Sequence, residues 1–418
     1  MKSLLVLGST GSIGRQTLDL VESRPDLFRI AGLAARSSGR ELLAQVLRHR
    51  PRFAALISPR AAEVIESELP PGTHLFRGPD ALLELIAAAD FDLAVHGVVG
   101  AAGILPSAAV LERGRPLALA NKESLVAAGR ELLELSRRYG APILPVDSEH
   151  SAIHQCLRGE DIGRVRRILL TASGGPFRDL SADEIARVGP AQALRHPNWE
   201  MGPRITVGSA TLMNKALEVI EAHHLFGLDA DRIEVVVHRQ SVVHSMVEFI
   251  DGSVIAQMGP PDMRGPIHYA LHYPDRGAST LKGFDLGLFR ELTFEAPDHH
   301  RFPALDLGFR CLREGGDAGC VLNAADEVAV EAFLAGSIGF CDIAAISSAV
   351  LDNRPAPASG LAGILASDAQ ARDAARDAIA RCAPPATAAG NTGPGNTGPG
   401  ALVPGALVPG ARAADVGP

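Results

Sequence analysis

Short apolar runs alternate with amphipathic stretches along the first 145 or so residues, and this alternation limits the fold more than any other feature. The apolar runs read SLLVLG, FRIAGLAA, FAALIS, LAVHGVVG, PLALAN and APILPV. Between them, stretches such as RQTLDLVESRP and GRELLAQVLRHRP place apolar residues at helical spacing. Strands that alternate with helices indicate a parallel sheet covered on both faces. We therefore predict an α/β domain over residues 1–147.

The pattern changes after residue 148. Four runs, RRILLTASGG, RIEVVVHRQ, SVVHSMVEFID and GSVIAQMG, read as strands of antiparallel character among helical pieces. Asp251 and Gly252 lie between the last two runs, which is a strong hairpin signal. We predict a central α+β catalytic domain over residues 148–275, with a lid loop at about 173–203.

The remainder of the chain divides into a linker, a helical domain and a tail. We predict a linker over residues 276–299 and, because the sequence is Ala-rich with helical spacing, a C-terminal α-helical domain over 300–383. Residues 384–418 contain the repeats NTGPGNTGPGALVPGALVPG. Such Gly- and Pro-rich sequence buries too little apolar surface to offset its ordering entropy, so we expect a disordered tail.

Composition excludes several classes of protein. The chain has 418 residues, 46% of them hydrophobic, and a net charge of −8 without an aromatic-rich basic patch, which argues against a nucleic-acid partner. No apolar run approaches the length that spans a bilayer, and the apolar stretch near the start is too short for a signal peptide. Five scattered cysteines without CxxC spacing fit a reducing compartment. We expect a protein of the bacterial cytoplasm with no membrane partner.

A glycine-rich turn follows the first predicted strand. LLVLGSTGSIG places Gly8, Gly11 and Gly14 between a strand and a helix, where glycines permit a tight turn and the helix N-terminus favours a pyrophosphate. The GxxGxxG spacing is less specific than GxGxxG, and the alternative is a glycine-rich turn of another parallel sheet. In this context we predict a Rossmann-like dinucleotide-binding domain.

The end of the second strand indicates which dinucleotide binds. NAD-preferring sites carry an acidic residue about 20 residues after the glycines. Here LAARSSGR has Arg36, Ser37 and Ser38 instead, and these side chains suit a 2′-phosphate. We predict NADPH; the alternative is that Arg36 is an ordinary solvated surface charge.

Three carboxylates are candidates for a metal site. Asp147 and Glu149 end an apolar strand-like run, and in extended backbone residues i and i+2 point to the same side. Two converging carboxylates repel each other unless a cation lies between them, and Glu218 adds a third. Three carboxylates suit Mg²⁺ or Mn²⁺. By itself, however, the Lys215–Glu218 spacing is more typical of a surface ion pair on a helix.

Polar residues that suit a phosphate lie in the same region. The stretch from Ser209 to Gly227 reads as one helix, near whose start lie Ser209, Asn214 and Lys215; TASGG adds Ser173 beside flexible glycines. The only tryptophan, Trp199, lies in LRHPNWEMGPR, a segment without apolar periodicity. We interpret this segment as a lid that excludes water, the alternative being that Trp199 belongs to the core.

Taken together, the motifs are similar to those of one enzyme family. GSTGSIG, LALANKESLV, PVDSEHSAI, TASGGPFR, HPNWEMG, SATLMNKALEVIEAH and VLNAADEVAVEAFL occur in an order that resembles 1-deoxy-D-xylulose 5-phosphate reductoisomerase over residues 1 to about 383. The resemblance implies that 1-deoxy-D-xylulose 5-phosphate is rearranged by retro-aldol cleavage and re-addition. NADPH then reduces the resulting aldehyde to 2-C-methyl-D-erythritol 4-phosphate, in the non-mevalonate isoprenoid route. It also implies a homodimer.

The resemblance assigns roles to individual residues. One divalent ion, Mg²⁺ or Mn²⁺, is held by Asp147, Glu149 and Glu218. The catalytic residues it implies are Lys122, Asp147, Glu149, Glu218 and His196. The substrate, a small phosphorylated sugar, is contacted by Lys122, Ser148, Glu149, Ser173, His196, Trp199, Ser209, Asn214, Lys215 and Glu218. The cofactor is contacted by Thr10, Gly11, Ser12, Ile13, Arg36, Ser37, Asn121, Glu123 and Gly202. Taken alone, Lys122 could equally be an ordinary helix start.

Several positions depart from the family's usual pattern. Gly208 stands where aspartate is common, Ala216 where glycine is usual, and Asp326 where asparagine is usual; His154 and His224 replace bulky aromatics. None of these changes removes a predicted metal ligand or phosphate contact.

Two alternatives remain at this stage. One is a different NADPH-dependent oxidoreductase acting on a phosphorylated or acidic small molecule. The other is an inactive nucleotide-binding or scaffold protein.

Overall fold

The N-terminal part is built on a parallel sheet. The structure is a computed structural model that describes residues 1–195, 202–355 and 357–382. The strands are β1 (Lys2–Leu7), β2 (Phe28–Ala35), β3 (Phe53–Leu56), β4 (His74–Arg77), β5 (Leu93–His96), β6 (Leu117–Leu119) and β7 (Ile143–Pro145). Their order is β4-β3-β2-β1-β5-β6-β7, and every neighbouring pair is parallel. The sequence predicted six of these strands; β4 was missed because its side chains are only partly buried and its run is short.

Helices connect these strands and cover the sheet. They are α1 (Ser12–Ser23), α2 (Gly39–His49), α3 (Pro59–Ile65), α4 (Ala81–Ala88), α5 (Ile104–Glu112) and α6 (Lys122–Tyr139), with 3₁₀ turns at Glu66–Glu68 and Ala101–Gly103. Both faces of the sheet are buried: in β1, Leu4 and Val6 belong to one hydrophobic cluster, whereas Leu5 and Leu7 belong to another. This arrangement confirms the predicted α/β fold.

The glycine-rich turn joins β1 to α1. Gly8 has φ +85°, and a Cβ there would lie 2.7 Å from the carbonyl oxygen of Gly97. A Cβ at Gly14 would lie 2.4 Å from the carbonyl oxygen of Gly8. Only glycine allows these backbones to approach so closely. The turn therefore lies at the carboxyl ends of β1 and β5, where the strand order reverses and dinucleotides bind in such sheets.

A second, mixed sheet follows. The next elements are α7 (Ser148–Cys156), β8 (Val165–Ala172), α8 (Ala182–Ile185), α9 (Pro190–Ala193), α10 (Pro203–Thr211), α11 (Met213–Phe226), β9 (Ile233–Val237), β10 (Val243–Phe249) and β11 (Val254–Met258), with 3₁₀ turns at Ile162–Arg164 and Ala230–Arg232. The strand order is β11-β10-β8-β9.

The antiparallel prediction is right for part of this sheet only. β10 runs antiparallel to β8 and β11, and the hairpin at Asp251-Gly252 is confirmed. β8 and β9, however, are parallel. The chain between β8 and β9 contains several helices, and a long crossover of this kind permits parallel pairing.

The predicted helix from Ser209 to Gly227 is two helices. Leu212 adopts a left-handed conformation with φ +60° and separates α10 from α11. The predicted end is correct, since Gly227 terminates α11 in the left-handed region. The break changes the direction of the chain between Ser209 and Asn214.

The rest of the described chain is mainly helical. It contains α12 (Arg264–His272), α13 (Leu286–Phe289), α14 (Ala304–Glu314), α15 (Ala318–Leu334), α16 (Phe340–Asp352) and α17 (Gly360–Arg381). Residues of α14 to α17 share one hydrophobic cluster with α11 and the second sheet. None of the helices in the described ranges is both long and apolar enough to cross a bilayer. The domain limits at 147, 275 and 299 stay predictions, and the predicted tail lies outside the described residues.

Candidate active site

A cavity lies where the carboxyl end of the N-terminal sheet meets α7, β8, α10 and α11. Twelve of the residues predicted for the site line it: Ser12, Ile13, Lys122, Asp147, Ser148, Glu149, Ser173, Gly202, Ser209, Asn214, Lys215 and Glu218. These residues are far apart in the sequence, and the fold brings them together.

The three predicted metal ligands converge in this cavity. Asp147, Glu149 and Glu218 each place a carboxylate oxygen within 4.8 Å of the others. The predicted reason for their convergence was wrong, because the backbone is not extended here. Asp147 is the N-cap of α7, and its side chain accepts a hydrogen bond from the Glu149 N–H. The first turn of the helix, rather than strand alternation, places the two carboxylates side by side.

Two lysines lie between the carboxylates. Lys122 Nζ is 2.7 Å from Asp147 Oδ2 and 3.1 Å from Glu218 Oε1. Lys215 Nζ is 3.0 Å from Glu149 Oε1 and also contacts Glu218. The side chain of Lys215 is 4% exposed and that of Glu218 is 1% exposed. The alternative that Lys215 and Glu218 form a surface ion pair is therefore wrong.

The surroundings shift the pKa values of Asp147 and Glu149 in opposite directions. Burial tends to raise the pKa of Asp147, but the positive charges of Lys122 and His150 and the hydrogen bonds to its carboxylate together outweigh burial, so the pKa is lowered from its usual value. Burial and the charge of Glu218 raise the pKa of Glu149 to about 8, although Lys215 opposes them. Three carboxylates form an all-oxygen set that fits one hard divalent cation such as Mg²⁺ or Mn²⁺.

A buried pair of side chains, His150 and Glu221, lies next to the three carboxylates, and the sequence analysis missed it. His150 Nε2 lies 3.0 Å from the carbonyl oxygen of Glu218. Its Nδ1 lies 3.1 Å from Glu221 Oε2, an ion-pair contact without hydrogen-bond alignment. Burial tends to lower the pKa of His150, but Glu221 and the other carboxylates raise it to about 9. A cationic His150 adds positive charge near Asp147.

The residues predicted to bind phosphate lie on three segments, two of which pack closely together. Ser173 follows β8, and Ser209 lies on α10. Gly175, with φ +69°, allows the contact, because a Cβ there would lie 2.6 Å from the carbonyl oxygen of Ser209. Asn214 and Lys215 follow at the start of α11, after the break at Leu212. The cavity wall at this point combines hydroxyl, amide and ammonium groups, which suit a phosphate.

The predicted cofactor residues fall into two groups. Thr10 and Gly11 lie in the turn between β1 and α1, and Ser12 and Ile13 begin α1, while Arg36 and Ser37 are exposed beyond the end of β2. Asn121 and Glu123 are instead buried among protein groups. Asn121 caps α6 and donates hydrogen bonds to the carbonyl oxygens of Val98 and Gly100 and to Glu123.

Two predicted lid residues cannot be placed. His196 and Trp199 lie outside the described residues, whereas Gly202 is the N-cap of α10 and lines the cavity.

Sequence reasoning missed three polar residues of the cavity. Thr171, Ser241 and His244 line it together with the predicted set. The segment HRQSVVHS contains Ser241 and His244, and its similarity to the family motif was the signal that could have identified them.

The departures from the family pattern have distinct surroundings. Ala216 is fully buried where α14 approaches α11 through Gly308, whose Cβ would lie 2.4 Å from the carbonyl oxygen of Ala216. A Cβ on Gly208 would meet Asn214 only at 3.5 Å, an ordinary contact, so a methyl group fits there. Asp326 lies 3.8 Å from Arg204, away from the cavity lining.

Comparison with known proteins gives consistent matches. A family model of 1-deoxy-D-xylulose 5-phosphate reductoisomerase matches residues 4–129, and models of the C-terminal domains of the same family match 143–226 and 258–374. The 1-deoxy-D-xylulose 5-phosphate reductoisomerase of Anaeromyxobacter sp. (strain K) is 51% identical over 352 residues, covering 84% of this chain and 90% of that protein. That of Moorella thermoacetica is 50% identical over 373 residues, covering 89% and 96%.

Solved structures give the same result. The reductoisomerase from Zymomonas mobilis in complex with NADPH is 42% identical, with a TM-score of 0.86 over 91% of this chain and 100% of that one. A DOX-P reductoisomerase in complex with NADPH, fosmidomycin and magnesium is 40% identical, with a TM-score of 0.86 over 91% and 98%.

Proposed function

The chain belongs to the 1-deoxy-D-xylulose 5-phosphate reductoisomerase family, and on that premise we propose which of its residues carry out the reaction. The protein is an NADPH-dependent enzyme that uses a divalent ion. It rearranges and reduces 1-deoxy-D-xylulose 5-phosphate to 2-C-methyl-D-erythritol 4-phosphate in isoprenoid biosynthesis. Family membership excludes an unrelated oxidoreductase and a scaffold protein. The observation that carries the residue assignment is the convergence of Asp147, Glu149 and Glu218 beside the glycine-rich turn.

Asp147, Glu149 and Glu218 are the proposed ligands of one divalent ion. When bound, the ion supplies Lewis-acid stabilisation of negative charge on the substrate's oxygens and a template that orients them. Mg²⁺ is supported by a relative whose structure contains magnesium, and Mn²⁺ has the same oxygen preference. Lys122 and Lys215 neutralise the three carboxylates in this structure. We propose that they turn towards the substrate when it and the ion are present.

Ser173, Ser209, Asn214 and Lys215 are the proposed phosphate-binding residues. They line one cavity, and Lys215 supplies the positive charge. Asn214 and Lys215 also contact Glu218, so a phosphate held there would fix the reacting carbons close to the carboxylates. Positioning of this kind lowers the entropic part of the barrier.

Lys122, Ser148 and Glu149 are the proposed contacts of the reacting part of the sugar. Ser148 Oγ donates a hydrogen bond to Glu149 Oε2 at 2.5 Å, and Lys122 Nζ donates one to Asn214 Oδ1 at 2.8 Å. These bonds orient both side chains. His196 and Trp199 are proposed to close over the substrate and exclude water.

The cofactor assignment follows the turn between β1 and α1. We propose that Thr10, Gly11, Ser12 and Ile13 hold the NADPH pyrophosphate at the helix N-terminus. Arg36 and Ser37 are proposed to bind the 2′-phosphate, since both are exposed beyond β2. Asn121, Glu123 and Gly202 are proposed to border the remainder of the nucleotide. Ser12, Ile13 and Gly202 line the substrate cavity itself, which would bring the nicotinamide end close to the sugar.

We further propose that the enzyme is a homodimer. β11 is an edge strand whose side chains are mostly exposed, among them Val254 (52%), Ile255 (40%) and Met258 (40%). Phe284 and Leu286 are also exposed in the following segment. An exposed apolar edge strand of this kind promotes aggregation unless another chain covers it.

The bacterial cytoplasm is the proposed location. The five cysteines, all within the described ranges, are free thiols, as expected in a reducing compartment. The relatives compared above come from bacteria.

The assignment is tested by following NADPH oxidation through the cofactor's absorbance, with 1-deoxy-D-xylulose 5-phosphate and Mg²⁺ or Mn²⁺. We expect turnover that chelation abolishes, and loss of about 10²-fold or more in kcat in Glu218→Gln. Glu66→Gln is the matched control, since Glu66 forms an exposed pair with Arg77. Metal-dependent turnover of normal size in Glu218→Gln would refute the ligand assignment.

A further inference from the structure

A cluster of charged and polar side chains connects four helices beside the cavity. Its members come from α6, α10, α15 and α17. We call it the Arg204 cluster, and it consists of Glu123, Arg204, Asn323, Asp326, Glu327 and Arg372. Only Glu123 has a role in the proposed function.

Arg204 lies at the centre of the cluster. Its guanidinium contacts Glu123, lies 3.0 Å from Glu327 Oε1 and donates a hydrogen bond to Asn323 Oδ1 at 2.8 Å. The side chain is 19% exposed. Glu123 belongs to α6, whereas Asn323 and Glu327 belong to α15. A planar guanidinium can satisfy several acceptors in fixed directions, which the single ammonium of lysine cannot do.

The contacts of Arg204 tie together elements that carry the site. Arg204 begins α10, and Ser209 of the proposed phosphate site lies on the same helix. Glu123 follows Lys122 in the first turn of α6, and Lys122 contacts Asp147 and Glu218. Arg204 thus links α10, which carries the proposed phosphate-binding residue Ser209, to the start of α6, which carries Lys122 and Glu123.

Glu327 extends the link to the cofactor crevice. It accepts a hydrogen bond from the Ala101 N–H at 3.3 Å and lies 2.7 Å from Arg372. Ala101 follows the end of β5, where the strand order reverses. A Cβ on Gly100 would lie 3.1 Å from Glu327 Oε1, so the loop after β5 packs directly against the Arg204 cluster.

The cluster depends on its arginines for charge balance. Glu123, Asp326 and Glu327 surround Arg204, and Oδ1 of Asp326 has no hydrogen-bond partner among the described residues. Loss of Arg204 would leave the buried carboxylates of Glu123 and Asp326 without their cation, whereas Glu327 would keep Arg372. The repulsion among these carboxylates would push α6 and α15 apart, and α10 would lose its link to both.

We propose that Arg204 is a positioning residue of the reaction. It holds the phosphate-binding helix α10 at a fixed place relative to the cofactor-side start of α6 and the loop after β5. This inference rests on the proposed function, because hydride transfer requires both bound molecules to be in register. Misplacement of reacting groups by about 1 Å can cost about 10²-fold in rate.

The test compares Arg204→Lys with Arg354→Lys. Arg354 is also largely buried, with 14% exposure and a 2.8 Å contact to Glu314, but it follows α16 and does not line the cavity. For each protein, kcat and the KM values for NADPH and 1-deoxy-D-xylulose 5-phosphate are measured, together with the Kd of NADPH by calorimetry. We expect a fall of about tenfold or more in kcat per folded enzyme and a rise of about tenfold or more in both KM values for Arg204→Lys, and neither change for Arg354→Lys.

A purely structural role gives a different pattern. It would lower the total activity only through the fraction of folded enzyme and leave kcat per folded enzyme, both KM values and the NADPH Kd unchanged, and that result would overturn the proposal. Arg204→Met is expected to bind both molecules still more weakly, and addition of Asp326→Asn should restore part of the binding by removing one unpaired carboxylate. No restoration in the double variant would also count against the proposed mechanism.

Failure of the proposed function would be recognised separately. In that case the wild type would not turn over the sugar phosphate at all. The NADPH Kd of Arg204→Lys relative to wild type would still test the positioning role on the cofactor side, and an unchanged Kd would overturn it.

Discussion

Replacing Asp326 by asparagine is expected to raise the free energy of unfolding at neutral pH while changing it little in acid. Asp326 is 2% exposed and lies 3.8 Å from Arg204. Burial raises its pKa to about 6, because Arg204 offsets only part of the cost and the charges of Glu327 and Glu123 add repulsion. The ionised carboxylate therefore opposes folding.

The size and sign of the effect follow from proton linkage. The pKa of about 6 in the folded chain lies above the ordinary value of 3.8, and each unit is worth about 1.4 kcal/mol. The folded protein binds the proton more tightly than the unfolded chain, so stability is lost as the pH rises from about 4 to about 6. The loss amounts to about 3 kcal/mol. Asparagine is neutral at every pH, so this loss should be absent in the variant.

The assay is urea denaturation of wild type and Asp326→Asn, followed by circular dichroism at about pH 4.5 and about pH 8. About 1 kcal/mol of the loss has already occurred at about pH 4.5, so the difference in stability should favour the variant by about 2 kcal/mol more at the higher pH. Hydrogen-bond changes caused by the amide are independent of pH and cancel in this comparison. Asp352→Asn, at a 56% exposed site paired with Arg310, is the control. An equal difference at both pH values would refute the reasoning.

Two other substitutions test the turn and the proposed dimer. Gly8→Ala should destabilise the protein by about 1–3 kcal/mol more than Gly72→Ala and weaken NADPH binding, as measured by denaturation and calorimetry. Both glycines have a φ near +90°, but only at Gly8 does a Cβ meet backbone, at 2.7 Å from the carbonyl oxygen of Gly97. Ile255→Lys should convert the dimer to monomer in light scattering after gel filtration, whereas Val64→Lys, equally exposed on α3, should not. A monomeric wild type, or a dimeric Ile255→Lys, would contradict the proposed interface.

Local patterns determined a large part of the fold. The period of the apolar residues distinguished the strands from the helices of the first 145 residues, because one face of each element must be buried. The glycines at positions 8 and 14 indicated a close backbone approach, and the structure has it. Asp251-Gly252 likewise predicted a hairpin, since its conformation depends only on neighbouring residues.

Strand pairing and helix breaks that depend on contacts between distant residues were predicted less well. The parallel pairing of β8 and β9 depends on the crossover between them, which strand patterns do not reveal. The break at Leu212 was missed because leucine has no local preference for a positive φ. The surrounding packing imposes that conformation and thereby separates Ser209 from Asn214 and Lys215.

The sequence by itself determined the identity of the chemical groups, because motif residues could be recognised one by one through their resemblance to a family. Only the tertiary structure decided which of the charged groups lie next to each other. Lys122 and Lys215 lie among the three carboxylates, and His150 and Glu221 lie behind them. Arg204 links α6, α10 and α15 across more than 200 residues of chain. Electrostatic interactions act through space at distances of a few ångströms, and spacing along the chain carries no record of them.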